Sequence, residues 1–367
     1  MTDTDLSRRR FLGASLALGC SAAASPFVTP VTLAVTPGDN RLVVIVLRGA
    51  MDGLDVVQPV GDRFLAQHRK ALSTGEKGGA QNLDGFFMLH KGLSGLMPLW
   101  QAGELSFAHA VSTPYRDKRS HFDGQDLLEN GGNSPDGGLT PGRDGWLNRM
   151  LSLLPGSSSE TAFAVGRENL LLLSGDAPVS AWSPDSDMAL SPQAQLLLSA
   201  IYRDDPLFRE AGAAAMQLAE GQEAGMMNPR QAARAEALAG FAAQQLSREA
   251  RVAAFSLNGW DTHQNQPGAL GNALKELQTA ILTLKQGLGP AWEKTAVLCL
   301  TEFGRTVREN GNRGSDHGTG GAAIFAGGAL RGQQVLGQWP GLAPEDLYRD
   351  RDLTPTADVR LYAAWAM

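Results

Sequence analysis

Three apolar runs, each followed closely by a carboxylate, limit the folds open to this sequence. Arg41–Leu47 is a nearly continuous β-branched run, which is typical of strands buried on both faces of a parallel sheet. Arg251–Leu257 and Ala296–Leu300 are also strand-like, and a helical pattern over Ala269–Leu288 lies between them. A strand, a helix and a second strand joined by a right-handed crossover form the repeating unit of parallel sheets. The pattern therefore predicts an α/β fold with a mainly parallel central sheet.

Acidic and imidazole side chains follow these runs. Asp52 comes after the first run, Asp261 after the second and Glu302 after the third. Ligands of open α/β sheets bind outside the carboxyl ends of the strands, so we expect these side chains to meet there. His263 lies two residues beyond Asp261 and faces the same side if the backbone is extended. The neighbours Asp316–His317 converge only if their glycine-rich loop turns, which its glycines permit.

This combination of carboxylates and imidazoles suits a divalent metal ion: zinc, manganese, magnesium or calcium. The predicted ligands are Asp52, Asp261, His263, Glu302, Asp316 and His317. A simpler interpretation is that the carboxylates form salt bridges with nearby arginines. It accounts well for Glu302 beside Arg305, but it accounts less well for His263 and His317.

Ser120 admits two interpretations. It precedes an expected helix and has Asp123 three residues later, a pattern typical of a helix N-cap. A serine at a helix start could also act as a nucleophile, because the helix N-terminus favours a developing alkoxide and an incoming anion. The N-cap is the usual role, and both can hold at once. His121 is a further catalytic candidate, although a lone histidine beside a helix start is more often structural.

The N-terminus has the features of an export signal. Ser7–Leu12 reads SRRRFL, a twin-arginine motif, and it predicts a signal peptide and linker over residues 1–36. We expect the twin-arginine translocase to be the export partner and the periplasm or the exterior to be the destination. The following apolar stretch is too short for a stable membrane span. Cys20 ends an imperfect lipoprotein box, so cleavage is favoured over lipid anchoring.

The rest of the chain, residues 37–367, is expected to form one domain. The 367 residues are 43% hydrophobic, which is enough for a single globular core. The formal charge of -6 argues against nucleic acid as a partner. The sequence closes on the apolar segment Pro355–Met367 without a polar tail, so we expect that the native C-terminus extends further.

Taken together, these motifs resemble a known family. The chain is similar, over nearly everything from residue 40 onward, to the twin-arginine-exported bacterial family called domain of unknown function 1501. The motifs that carry the resemblance are Arg48–Leu54, Ser120–Asp123, Gly259–His263, Thr301–Arg305 and Asp316–Gly321. That family looks like a branch of the alkaline phosphatase and sulfatase superfamily.

The resemblance implies a three-layer α/β/α, alkaline-phosphatase-like fold with metal ligands at strand ends. It implies that Asp52 is the ligand after the first strand and that Ser120 occupies the nucleophile position. It also implies that Asp261 and His263 form the aspartate-histidine pair of a later strand. A histidine is expected after Glu302, where Phe303 stands instead, and Asp316–His317 could fill that gap.

Two functions follow from this pattern. The first is an exported metal-dependent hydrolase of phosphate or sulfate esters, in which Arg305 or Arg119 binds the anion of a small-molecule or polymer-borne ester. The second is a non-catalytic exported binding or assembly protein on the same scaffold, which the presence of Phe303 favours. Whether the protein is an enzyme is left open by the sequence.

Overall fold

A computed structural model describes residues 39–133, 144–166, 170–183 and 235–366. The predicted signal peptide and Cys20 lie outside the described residues. Among the described helices, none combines the length and the apolar character that a membrane span requires.

Nine strands of the described residues form one sheet. They are β1 (Arg41–Leu47), β5 (Leu105–Ser112), β6 (Ala162–Val165), β7 (Ser180–Trp182), β8 (Val252–Leu257), β9 (Thr295–Leu300), β10 (Gly321–Ala326), β11 (Val335–Leu336) and β12 (Ala357–Asp358). Their order in the sheet is β11-β5-β10-β9-β1-β8-β6-β7, with β12 paired to β5. Neighbouring strands from β9 to β7 are parallel, whereas β10 is antiparallel to both of its neighbours. A small second sheet contains β2 (Val57–Gln58), β4 (Met88–Leu89) and β3 (Gln81–Asn82).

The helices connect and cover these strands. The α-helices of the described residues are α1 (Gly53–Val56), α2 (Leu65–His68), α3 (Met97–Gln101), α4 (His121–Asn130), α5 (Trp146–Leu151), α6 (Ala235–Leu246), α7 (Gln266–Leu288) and α8 (Val359–Ala366). Short 3₁₀ helices span Gly75–Gly78, Lys91–Leu96, Leu171–Leu173, Gly289–Lys294 and Pro344–Asp346.

The core has two layers, one on each face of the sheet. Alternate residues of β1 point to opposite faces, because successive side chains of a strand alternate. Val43, Ile45 and Leu47 belong to a cluster that includes the buried sides of α6 and α7. The residues between them belong to a second cluster, which includes the buried sides of α4, α5 and α8. Helices therefore cover both faces, and the predicted three-layer α/β/α class with a mainly parallel sheet is confirmed.

Candidate metal site

The site lies at the edge of the sheet where β9, β1 and β8 end. These neighbouring strands are parallel, so the loops that follow them begin at the same edge. β10 runs antiparallel to β9, and the loop before it brings Asp316 and His317 to this edge from the opposite direction. The segment after β5 leads to α4, whose first residue is His121. The sheet topology thus brings together segments that are distant in sequence, as expected for a ligand crevice of an α/β fold.

The loops approach one another closely because of glycine. Gly49 follows β1 with φ of +121°, a conformation that favours glycine. A Cβ atom at this position would lie 2.4 Å from the backbone nitrogen of Asp261. Gly314 is similarly confined, since a Cβ atom there would lie 2.3 Å from the carbonyl oxygen of His263. A larger residue at either position would push apart the loops that carry the site.

Three histidines of the site each donate the Nδ1 proton to an oxygen of the protein. The pairs are His121 with Glu302 Oε1 at 2.7 Å, His263 with Asp316 Oδ1 at 3.0 Å, and His317 with the carbonyl oxygen of Arg119 at 2.9 Å. Carboxylates and carbonyls accept only, so the proton must be on the imidazole nitrogen. The Nε2 atom of each ring, when neutral, therefore carries a free lone pair.

The three Nε2 atoms face one carboxylate. Asp261 Oδ1 lies 3.1 Å from Nε2 of His263 and 3.2 Å from Nε2 of His317, and Asp261 Oδ2 lies 3.5 Å from Nε2 of His121. The ligand atoms of His121, Asp261 and His317 all lie within 4.8 Å of one another. A group of donors this close together could hold a metal ion.

Two contacts are hard to explain without a cation. The Nε2 atoms of His263 and His317 are 2.9 Å apart, and two lone pairs at that distance repel unless a proton or a metal ion lies between them. The Nε2 atom of His121 is buried and has no hydrogen-bond partner among the described residues. Leaving a buried polar atom unpaired costs about 1–3 kcal/mol. The donor set of three imidazoles and one carboxylate therefore fits a divalent ion.

The carboxylates of the site are held in their charged form. Burial opposes ionisation of Glu302, but hydrogen bonds, led by the one from His121, outweigh it and lower the pKa of this carboxyl. Burial likewise opposes ionisation of Asp261, and the hydrogen bond and charge of Arg305 lower its pKa. The hydrogen bond to Glu302 raises the pKa of His121, whereas burial lowers that of His317. Both carboxylates are thus held as anions, the form that a metal ligand requires.

Glu302 and Asp316, predicted as ligands, lie behind histidines. Each accepts the Nδ1 proton of a ring whose other nitrogen faces Asp261. Carboxylates in this position orient a metal-binding imidazole and fix its tautomer. The structure therefore places these two residues around the site in supporting positions, and it places His121 beside Asp261 as a donor.

Asp52, also predicted as a ligand, is held elsewhere. Its oxygens lie 2.7 and 3.0 Å from the guanidinium nitrogens of Arg69, and Gln266 donates to it at 2.6 Å. The Asp52 side chain is 1% exposed and that of Arg69 is 0% exposed. A metal ion would have to displace a buried guanidinium that is bonded to both oxygens. This placement argues against the predicted role of Asp52 as a ligand and indicates a structural ion pair.

Arg305, predicted to bind the anion, is a support for the loops of the site. Its buried guanidinium donates to the carbonyl oxygens of Gly49, Ala50, Trp260 and Ser315 and to Oδ1 of Asp261. These oxygens belong to the loops after β1 and β8 and to the loop before β10. Because the side chain is fully buried and occupied, it is not available to a substrate, and Arg119 is the remaining candidate of the two arginines.

Ser120 is the N-cap of α4. Its side chain accepts a hydrogen bond from the backbone nitrogen of Asp123 at 3.4 Å, so the N-cap interpretation is confirmed. Its own backbone nitrogen donates to the hydroxyl of Tyr115 at 2.6 Å. The cap is adjacent in sequence to His121, and Ser120 therefore borders the site. Its predicted role as a nucleophile stays a prediction.

Two supporting residues, Arg69 and Gln125, were not predicted from the sequence. Arg69 follows Asp52 by 17 residues and belongs to no motif. Gln125, which donates to Glu302 at 3.1 Å, lies one helical turn after His121. That spacing could have indicated that Gln125 lies beside His121, because residues four apart share a helix face. Arg69 had no comparable indication in the sequence.

Three solved structures are similar to this chain at low identity. One is the C-terminal periplasmic domain of EptC from Escherichia coli in complex with zinc, with 10% identity, coverage of 80% of this chain and 74% of the other, and a TM-score of 0.39. Another is a protein in the alkaline phosphatase superfamily from Vibrio parahaemolyticus, with 12% identity, coverage of 88% and 71%, and a TM-score of 0.40. The third is lipooligosaccharide phosphoethanolamine transferase A from Neisseria meningitidis, with 10% identity, coverage of 87% and 55%, and a TM-score of 0.38. At these values the likeness transfers no activity, substrate or metal to this chain.

Comparison with curated proteins gives no match. A family model, in contrast, matches residues 84–364, which is most of the chain and includes most of the site. The matched residues include the site residues from α4 to the loop before β10, while the strand β1 and Asp52 precede them. The chain therefore belongs to the family described as protein of unknown function DUF1501.

Proposed function

We propose that this protein is an exported metal-dependent hydrolase that acts on anionic esters of the phosphate or sulfate class. The observation that carries the proposal is the convergence of three imidazole Nε2 atoms on Asp261, with every Nδ1 atom already bonded to an oxygen of the protein. An arrangement of this kind costs stability in the absence of a cation. It is therefore better explained as a binding site than as packing.

The ion would be held by His121, Asp261, His263 and His317. Three nitrogen donors and one oxygen donor favour zinc over magnesium or calcium, which prefer oxygen ligands, and manganese is the next best match. When bound, such an ion supplies Lewis-acid polarisation of an ester and lowers the pKa of water. The side chain of Asp261 is 47% exposed and that of His263 is 38% exposed, so a substrate can approach from the solvent.

The surrounding residues have separate tasks in this proposal. Arg119 is an exposed residue whose carbonyl oxygen holds His317, and we assign to it the binding of the anionic group. Ser120 is placed at the start of α4, where the helix dipole stabilises negative charge. Arg305 keeps Asp261 ionised and in place. Export through the twin-arginine pathway to the periplasm or the exterior rests on the motif Ser7–Leu12.

The test begins with metal analysis of the purified mature protein. We expect one zinc-class ion per chain, and removal by a chelator should lower the free energy of unfolding by about 2.7 kcal/mol if the free ion had been at one hundred times its dissociation constant. Replacing His263 or His317 by alanine should abolish both the binding and the hydrolysis of 4-nitrophenyl phosphate or 4-nitrophenyl sulfate. A wild-type protein that binds no divalent ion, and that a chelator does not destabilise, would refute the proposal.

A second function is favoured by one observation. Ser120 is used as a helix cap and Arg305 is saturated by carbonyls, so two of the three predicted catalytic groups have structural tasks. A non-catalytic exported binding or assembly protein could keep the metal site for stability alone. Metal binding without hydrolysis of either ester would support this second function.

A further inference from the structure

The ring of His121 is held on its face by aromatic packing. Phe303 stacks on this imidazole, with ring centroids 5.2 Å apart and an angle of 22° between the planes. Tyr115 stacks on Phe303, at 5.7 Å and 17°. Gly124, one turn into α4, allows this approach, because a Cβ atom there would lie 2.9 Å from the ring of Phe303. The orientation of the imidazole plane is therefore set by Phe303.

The edge of the same ring is held by Glu302. Its Oε1 atom accepts from Nδ1 of His121 at 2.7 Å, from the backbone nitrogen of Gly49 at 2.9 Å and from Gln125 at 3.1 Å. The Glu302 side chain is 0% exposed, whereas that of His121 is 24% exposed. A fixed, buried carboxylate thus anchors a partly exposed ring, and it lies on the Nδ1 side, away from Nε2.

We infer that Glu302 and Phe303 are positioning residues that hold His121 as a metal ligand. This inference rests on the proposed metal-dependent function. His121 is the one donor that comes from α4, while Asp261, His263 and His317 come from loops that Arg305 ties together directly or through their neighbours. Without an anchor, the ring could rotate about its Cβ–Cγ bond, which would exchange Nδ1 with Cδ2 and turn Cε1 instead of Nε2 toward the site. Glu302 prevents this rotation by accepting from Nδ1, and Phe303 keeps the ring plane from tilting.

The test measures zinc affinity by competition with a chromophoric chelator in the full-length mature protein. Loss of a carboxylate behind a ligating histidine costs about 10- to 100-fold in metal affinity. We expect about tenfold for Glu302→Gln, which keeps an acceptor oxygen, and about 100-fold for Glu302→Ala. Phe303→Leu keeps the bulk but loses the stacking, and it should cost roughly two- to tenfold.

A matched control is Glu104→Gln. Glu104 is a partly buried carboxylate that accepts from Lys285 and from Trp292, and it precedes β5 at the opposite edge of the sheet. Its replacement should change stability and leave zinc affinity within about twofold. A variant effect that reflects general destabilisation would appear in this control as well, and this outcome would overturn the inference.

Two spectroscopic measurements report on the ring directly. In the zinc-loaded wild-type protein, nitrogen-15 NMR should show His121 protonated at Nδ1, and the visible spectrum of the cobalt-loaded protein should shift in Glu302→Gln but not in Glu104→Gln. Zinc affinity of a folded Glu302→Ala variant within twofold of the wild type, or an unprotonated Nδ1 of His121, would overturn the positioning role while leaving the proposed function intact. A wild-type protein without zinc affinity would instead remove the proposed function, and the inference would fall with it.

Discussion

Asp52, which follows β1, could have a structural role or a metal-binding role. Its buried ion pair with Arg69 makes the two roles distinguishable by mutation. Both side chains are buried, and both oxygens of Asp52 are bonded to Arg69. Asp52→Asn would leave the guanidinium without its counter-ion and would turn an amide group toward donors. Removing one partner of a buried pair costs about 3–5 kcal/mol. We therefore expect Asp52→Asn to lower the free energy of unfolding by about that amount.

Urea denaturation of the metal-free protein measures this loss, and zinc competition on the same samples measures binding. Because both oxygens of Asp52 are bonded to Arg69, zinc affinity of the folded variant should stay within about twofold of the wild type. Arg69→Met should also destabilise, since Arg69 donates to Thr306 and Val307 as well. The double variant should lose less free energy of unfolding than the two single variants together, because neither charge is then left buried without its partner.

The opposite result would be clear. Asp52 would be a ligand if the free energy of unfolding of Asp52→Asn stayed within about 1 kcal/mol of the wild-type value while its zinc affinity fell about 100-fold or more. The reasoning from buried ion pairing would then be wrong, and the ion would have to displace Arg69. A stoichiometry of two ions per chain in the wild type, falling to one in the variant, would lead to the same conclusion.

Two further predictions concern other residues. Burial lowers the pKa of His109 from 6.5 to about 4. Between these two pH values the unfolded state binds more protons than the folded state, so the free energy of unfolding should fall as the pH drops from about 6.5 to about 4. The loss amounts to about 3 kcal/mol. Urea unfolding in the presence of a chelator should show that His109→Gln removes this pH dependence of the free energy of unfolding. An unchanged dependence on pH in the variant would contradict the prediction. Arg119 has φ of +56°, a backbone conformation that glycine adopts easily. Arg119→Gly should therefore keep the hydrogen bond from His317 to the backbone carbonyl of residue 119, and with it the zinc affinity. The loss of the guanidinium should raise KM for 4-nitrophenyl phosphate about tenfold or more. An unchanged KM would exclude Arg119 from anion binding.

The α/β class and the position of the site followed from local patterns. Runs such as Arg41–Leu47 are apolar on both faces, and this is stable only inside a sheet that is covered on both sides. Parallel strands place their carboxyl ends at one edge, so side chains that follow different strands, such as Asp261 and Glu302, are brought to the same edge by topology alone. The meeting of Asp261, His263 and His317 was therefore foreseeable from strands and loops.

The division of tasks among the polar residues was not foreseeable in the same way. Whether a carboxylate binds an ion or orients a histidine depends on which nitrogen of the ring it meets, and that depends on contacts such as Glu302 with His121, which are 181 residues apart. Arg69 neutralises Asp52, and Arg305 binds Asp261 and the loop carbonyls around it. Both carboxylates were predicted from the sequence as metal ligands. Local sequence specifies which strands form, but the partner of a buried charge is chosen by long-range packing, because only the folded chain removes it from water and makes an unpaired charge costly.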